Sequence, residues 1–273
     1  MEDTAQLHHA FYRFVDVPDP VAAVQALHPA ARSLLGSIVV APDGINAVVC
    51  GGDAAMQRLR QALDHDPVLA PSFRGMTMLR TRCRTPPFQR LRIHRRAELL
   101  RLGRGVPGAV TRSSQQVSPQ QWAALLDSDD VVVIDNRNSF EYRLGRFRGA
   151  VDPGLGHFRE LPGYVEQQAP RWRAQGKRIA MYCTGGIRCE RAAAWIADQG
   201  LQVLQLSGGI LNYLAQGAPR GAWEGHCYVF DNRVALDADL QECGVTAHDV
   251  FAALPGEQWR LQRAQRLSAR DDA

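Results

Sequence analysis

The chain has 273 residues, 45% of them apolar, which is longer than one typical domain and apolar enough for two ordinary cores. No apolar run approaches the ~20 residues of a membrane-spanning helix. The polar start, with Glu2 and Asp3, lacks the basic and apolar stretches of a secretory leader, so no membrane association and a cytoplasmic location are expected.

In chain order, residues 10–15 are aromatic and β-branched and read as a strand. Residues 18–31 read as a helix opened by Asp19-Pro20, with the proline early in the first turn. Residues 36–40 and 45–50 are strands joined by the turn Pro42-Asp43-Gly44, a hairpin. Residues 53–63 show helical spacing at Ala55, Leu59 and Leu63, and residues 76–80 and 91–93 read as further strands. The order β-α-β-β-α-β is that of the ferredoxin-like split unit. The net charge of +4 says less than its distribution. Arg74, Arg80, Arg82, Arg84, Arg90, Arg92, Arg95, Arg96, Arg101 and Arg104 face a single acid, Glu98. This run is either a solvated surface or a patch that tracks phosphates of nucleic acid, and composition does not choose.

Residues 103–117 are rich in Gly, Pro, Ser and Thr around Val106-Pro107-Gly108 and read as a linker. Ser118-Pro119 supplies an N-cap and a first-turn proline for a helix through Leu126. Residues 131–134, 179–182 and 203–206 are short apolar runs of the kind that strands buried on both faces need. Helices over 188–200 and 210–215 alternate with them, so a parallel α/β sheet is expected. The tail after about residue 225 is less regular; residues 259–267 suggest a basic helix, and the last few residues are expected to be mobile.

The chemistry centres on Cys183-Thr184-Gly185-Gly186-Ile187-Arg188. Cys183 ends a strand, where open α/β sheets place their ligands. Gly185 and Gly186 let successive backbone N–H groups curl inward as an anion nest, and the helix starting near Arg188 adds its positive end. Each factor favours thiolate, the nucleophilic form, over thiol. Cys189, early on that helix, is either a resolving thiol for an oxidised or persulfide intermediate or a small packing residue. Asp135 either orients loop groups or Arg137, or caps its strand end. Arg137 and Arg188 are candidates to stabilise anionic sulfur or a substrate phosphate, and Arg188 can instead anchor the loop through Glu190 or Asp135. Glu141 and Glu190 read as surface or ion-pair residues, and Tyr182 as core. The six cysteines form no CxxC pair, and the eight histidines are scattered, so no metal is expected. No glycine-rich nucleotide motif occurs, so no organic cofactor is evident.

With Asp135 ending the preceding strand and Leu206-Ser207-Gly208-Gly209 after the next, the Cys183 to Arg188 loop resembles a rhodanese domain. Cysteine-dependent phosphatases share this fold but carry a loop one residue longer, with Arg six positions after Cys; here position 189 is Cys. Further motifs narrow the match: Ile134 to Asn138, Phe140-Glu141, Gly145-Arg146-Phe147, Phe158 to Pro162, Cys183 to Glu190, and Trp223 to Asp231 with Arg233. They are similar to the rhodanese-like tRNA uridine hydroxylases. Asp43-Gly44-Ile45-Asn46 resembles that family's Glu-Gly-Ile-Asn signature, with Asp at its first position and Ala47 after it where the family carries Gly. Asn136 likewise stands where the family has Thr.

The resemblance implies an α/β protein: a ferredoxin-like (acylphosphatase-like) α+β domain over 8–102, a rhodanese-like parallel-sheet domain over 115–225, and a C-terminal extension over 226–273. It implies oxygen-dependent conversion of the tRNA wobble uridine to 5-hydroxyuridine, with dioxygen as co-substrate and Cys183 as the reactive residue, supported by Thr184, Gly185, Gly186, Ile187, Arg188, Asp135 and Arg137. Arg92, Arg95 and Arg96 are then candidates for holding the tRNA backbone. Trp223, Phe230 and Asp231 with Arg233 are expected as a lid or strap near the site. The competing functions are a sulfurtransferase carrying a persulfide on Cys183 and a non-catalytic adaptor.

Overall fold

A computed structural model of the chain describes residues 6–84, 86–104, 114–217, 219–252 and 256–269. The chain forms two compact units, one ending at Arg101 and the other starting at Leu102.

The first unit runs β1 (Gln6–Phe14), α1 (Pro20–Ala31), β2 (Leu35–Ala41), β3 (Gly44–Gly51), α2 (Asp53–His65), a single turn α3 (Ala70–Phe73), β4 (Leu79–Cys83) and β5 (Leu91–Arg95). Asp19 caps α1, its carboxylate accepting from the Val21 and Ala22 N–H groups at 2.9 Å. Gly44 closes the β2–β3 hairpin at φ 145°, and a side chain there would lie 2.1 Å from the Arg13 carbonyl, so only glycine fits. The sheet order is β4-β1-β3-β2-β5. Its first four strands pair antiparallel, as in the ferredoxin-like unit, and β5 adds in parallel beside β2. Phe11, Ile38, Val40, Ile45 and Val49 bury one sheet face with Leu27, Leu59 and Leu63 of the helices.

Two expectations shift here. The strand expected over 76–80 lies at Leu79–Cys83, where it pairs with Gln6 to Ala10 of β1; Met76 is buried before the strand begins. The arginine run is not one patch in the sheet, because Arg80 and Arg82 lie on β4 at one edge and Arg92 and Arg95 on β5 at the other.

The second unit runs β6 (Ser114–Val117), α4 (Pro119–Leu125), β7 (Val131–Asp135), α5 (Ser139–Leu144), β8 (Gly145–Phe147), α6 (Leu161–Ala174), β9 (Arg178–Tyr182), α7 (Ile187–Asp198), β10 (Val203–Leu206), α8 (Gly209–Ala215), β11 (Trp223–Gly225), β12 (Cys227–Tyr228), β13 (Ala235–Leu236), α9 (Ala247–Phe251) and α10 (Gln258–Ala269). Four strands make a parallel sheet in the order β6-β10-β9-β7. Ser118 opens α4 with a reciprocal capping box to Gln121. The end of the expected linker is a strand: residues 114–117 pair in parallel with β10 from Val203 to Leu206. Its centre, Val106-Pro107-Gly108, lies outside the described residues, as do residues 270–273.

The tail holds to this unit through short pairings. β11 pairs with β8, Trp223 opposite Phe147 and Gly225 opposite Gly145. Phe251 of α9 packs its ring on Phe140 at 4.9 Å. The expected basic helix is α10.

Candidate active site

β9 ends at Tyr182 and delivers Cys183 into a tight loop before α7. The loop folds this way because its polar groups are divided between two sides. The Cys183 and Thr184 carbonyls accept from the Ile210 and Leu211 N–H groups at 3.0 and 3.1 Å, at the start of α8. N–H groups on the other side serve the sulfur: Gly186 donates to Cys183 Sγ at 3.1 Å, and the Arg188 and Cys189 N–H groups add to it. Gly186 takes φ 96° as the N-cap of α7, which a side chain would strain. Gly209, at φ 66°, brings α8 against the loop, and a side chain there would meet the Cys183 carbonyl at 2.4 Å. Gly185 has no atom within 4 Å of where a side chain would sit, so the loop is open on that side. Thr184 and Ile187 are half-buried, and the buried Thr184 hydroxyl has no hydrogen-bond partner among the described residues.

These contacts decide the state of the sulfur. Burial pushes the Cys183 thiol up, but the Cys189 thiol donating to it, the Arg188 charge and the two backbone N–H groups outweigh burial and bring its pKa down to about 6. Cys189 moves the opposite way, raised by burial and by its hydrogen bond to Cys183. One thiol is therefore the proton donor and the other the thiolate. Asn136 Nδ2 lies 3.6 Å from Cys189 Sγ and 3.3 Å from Met181 Sδ, which ties this pair to the end of β7.

The charged residues sort into two pairs. Arg188 makes a two-pronged ion pair with Glu141, at 2.9 and 3.3 Å. The Glu141 side chain is fully buried and that of Arg188 12% exposed. The loop arginine is thus anchored to Glu141, not to Glu190 or Asp135, and of the two readings for Glu141 the ion pair holds and the surface position does not. Glu141 also accepts from the Asn138 N–H at 3.0 Å, closing the start of α5. Asp135 holds Arg137, the shortest contact being 2.6 Å, with both side chains fully buried. Arg137 also donates to the Gly145 carbonyl at 2.6 Å and is flanked by Tyr182 and Trp223, each ring 5.6 Å away. Both acceptors are internal and the guanidinium is enclosed, so a substrate phosphate has no access to it. Tyr182 is core, as expected, and its hydroxyl bonds Asp135.

Cys227 carried little signal of its own in the sequence, whereas Phe230 was expected near the site from the resemblance and lies beside Arg188. Cys227, buried on β12, lies close enough to feel Arg137, Glu141, Asp135 and Cys183, and burial leads in raising its pKa to about 12. Nothing in its local sequence marks that proximity. Phe230 is 58% exposed and lies over the Arg188 guanidinium at 5.4 Å. Asp231 and Arg233 form a buried ion pair of 2.6 Å in the same turn.

Arg92 is half-buried on β5, and Arg95 and Arg96 are exposed at its end. All three belong to the first unit. Among the described residues no group of three or more His, Cys, Asp or Glu side chains is placed to hold a metal ion, and no helix is long and apolar enough to cross a membrane.

A parallel sheet that presents a hydrogen-bonded thiolate in a Cys-x4-Arg loop between strand and helix defines a rhodanese-type domain, and residues 118–216 match the family described as rhodanese-like domain. Residues 7–99 match the UPF0176 acylphosphatase like domain. The chain is 42% identical over 237 residues to the tRNA uridine(34) hydroxylase of Synechococcus elongatus, covering 85% of each. It is 39% identical over 213 residues to that of a Synechocystis species, covering 76% of this chain and 73% of the relative. To that of Deinococcus radiodurans it is 38% identical over 239 residues, covering 85% and 76%. The chain belongs to the tRNA uridine(34) hydroxylase family.

Proposed function

We propose that the protein hydroxylates carbon 5 of uridine 34 in tRNA, in the cytoplasm, with Cys183 as the reacting side chain and dioxygen as the oxygen source: one oxygen atom enters the uridine and the other leaves as water, taking two electrons from a thiol reductant that ends as disulfide. The observation that carries this reading is the Cys183 sulfur itself: a thiolate at neutral pH, with the Gly186 N–H at 3.1 Å and pKa near 6, in a chain whose relatives share the name tRNA uridine(34) hydroxylase. That shared name supports hydroxylation over persulfide transfer, for which the same thiolate would also serve. Arg188, held by Glu141, keeps positive charge beside the sulfur, while Cys189 stands as its hydrogen-bond donor. Arg92, Arg95 and Arg96 give the tRNA backbone cationic contacts.

Incubation of the purified protein with unmodified tRNA and a thiol reductant under ¹⁸O-labelled dioxygen tests the oxygen source. The expected product is 5-hydroxyuridine carrying ¹⁸O at position 34. Product carrying oxygen from water instead would overturn dioxygen as the source.

A further inference from the structure

Phe230 is one of four large apolar side chains left exposed among the described residues, and its surroundings hold it in place. It sits in a tight turn in which the Val229 N–H donates to the Val234 carbonyl at 2.8 Å and the Val234 N–H to the Asp231 carbonyl at 3.0 Å. The Asp231 carboxylate accepts from the Arg233 backbone N–H at 3.0 Å and from its guanidinium at 2.9 and 2.6 Å. Behind the ring runs a series of edge-on aromatic contacts: Tyr228 at 5.0 Å, then Phe140 on Tyr228 and Phe251 on Phe140, each at 4.9 Å. The ring lies over the guanidinium of Arg188, which is pinned by Glu141 and adds its charge to Cys183. An apolar ring held this firmly, yet more than half open to water, is pre-organised for a flat ligand. On the loop, the Gly185 side is likewise open.

The geometry points to Phe230 as a stacking residue for a pyrimidine nucleobase brought to Cys183; resting on the tRNA reading above, that base is uracil 34. A base drawn out of its stack is commonly received on aromatic side chains and guanidinium planes. Phe230 supplies the ring beside an Arg188 already fixed in position. The tail strap thereby takes a direct part in substrate binding, which gives a reason for a buried ion pair and an aromatic series beneath one exposed side chain.

The test measures binding of an anticodon stem–loop RNA carrying uridine at position 34, and of the same RNA with an abasic residue there, to the full-length protein. The wild type is expected to bind the uridine form about tenfold or more tighter, as loss of one stacked base implies. Phe230→Ala is expected to bind both forms alike, and Phe230→Tyr and Phe230→Trp to restore the difference. Rescue by another aromatic separates stacking from a purely structural role. A wild type that does not distinguish the two RNAs, or a Phe230→Ala variant that distinguishes them as well as wild type does, overturns the assignment. The readout does not depend on turnover, so hydroxylation can stand when stacking fails. If neither RNA binds and no 5-hydroxyuridine forms, the tRNA reading falls as well.

Discussion

Cys183 shows how a buried sulfur is kept as an anion. Desolvation opposes the charge, and fixed donors with an adjacent guanidinium overcome it. The thiolate fraction therefore rises as pH rises through about 6. Peptide-resolved alkylation should follow that curve, with Cys183 reaching its plateau rate below pH 8 while Cys189 and Cys227, both pushed up by burial, stay slow. A Cys183 midpoint near the free-thiol value of about 8.5 would mean that the donors and the guanidinium do not outweigh burial. Arg188→Ala removes a charge that lowers Cys183 and strands the buried Glu141 carboxylate. The alkylation midpoint should move upward, and chemical denaturation should show a loss of about 3–5 kcal/mol, the usual cost of breaking a buried pair.

At the scale of elements, the site depends on two chain segments meeting without side chains between them. Gly209 at the head of α8 lies where any Cβ would strike the Cys183 and Thr184 carbonyls. Gly209→Ala should therefore destabilise the protein by about 1–3 kcal/mol or more and lower activity, read from urea denaturation and from 5-hydroxyuridine formation. Wild-type stability in this variant would mean the loop does not need this approach. Much of this was legible in the sequence. The Cys loop, the apolar strands β7, β9 and β10, and the Asp19 and Ser118 caps follow from local rules about glycine, β-branching and helix ends. What was hidden depended on distant partners. β6 is Ser114-Gln115-Gln116-Val117, with no apolar pattern, and is a strand because β10 pairs with it. The strand starting at Leu79 instead of residue 76 follows its partner β1. Arg188 finds Glu141 47 residues away in sequence, a pairing that no local spacing marks, so Glu190, two residues on, and Asp135, at the end of the neighbouring strand β7, drew the expectation instead.

At the scale of the molecule, the chain joins a basic ferredoxin-like unit to a rhodanese-type unit that holds the reactive sulfur. The first unit offers Arg92, Arg95 and Arg96 on and beside one edge strand. Replacing all three with alanine should weaken tRNA binding at every tested sequence and flatten its dependence on salt, by up to about 0.7–0.9 in log–log slope for each phosphate no longer neutralised. Unchanged affinity and slope would return these arginines to ordinary solvated surface. Hydroxylation of uridine 34 through Cys183 is tested most directly in a strain deleted for the gene. Its tRNA, digested to nucleosides and analysed by mass spectrometry, should lack or be depleted in 5-hydroxyuridine and its derivatives. The wild-type gene should restore them and Cys183→Ala should not; unchanged levels in the deletion strain, or full rescue by Cys183→Ala, would refute that role.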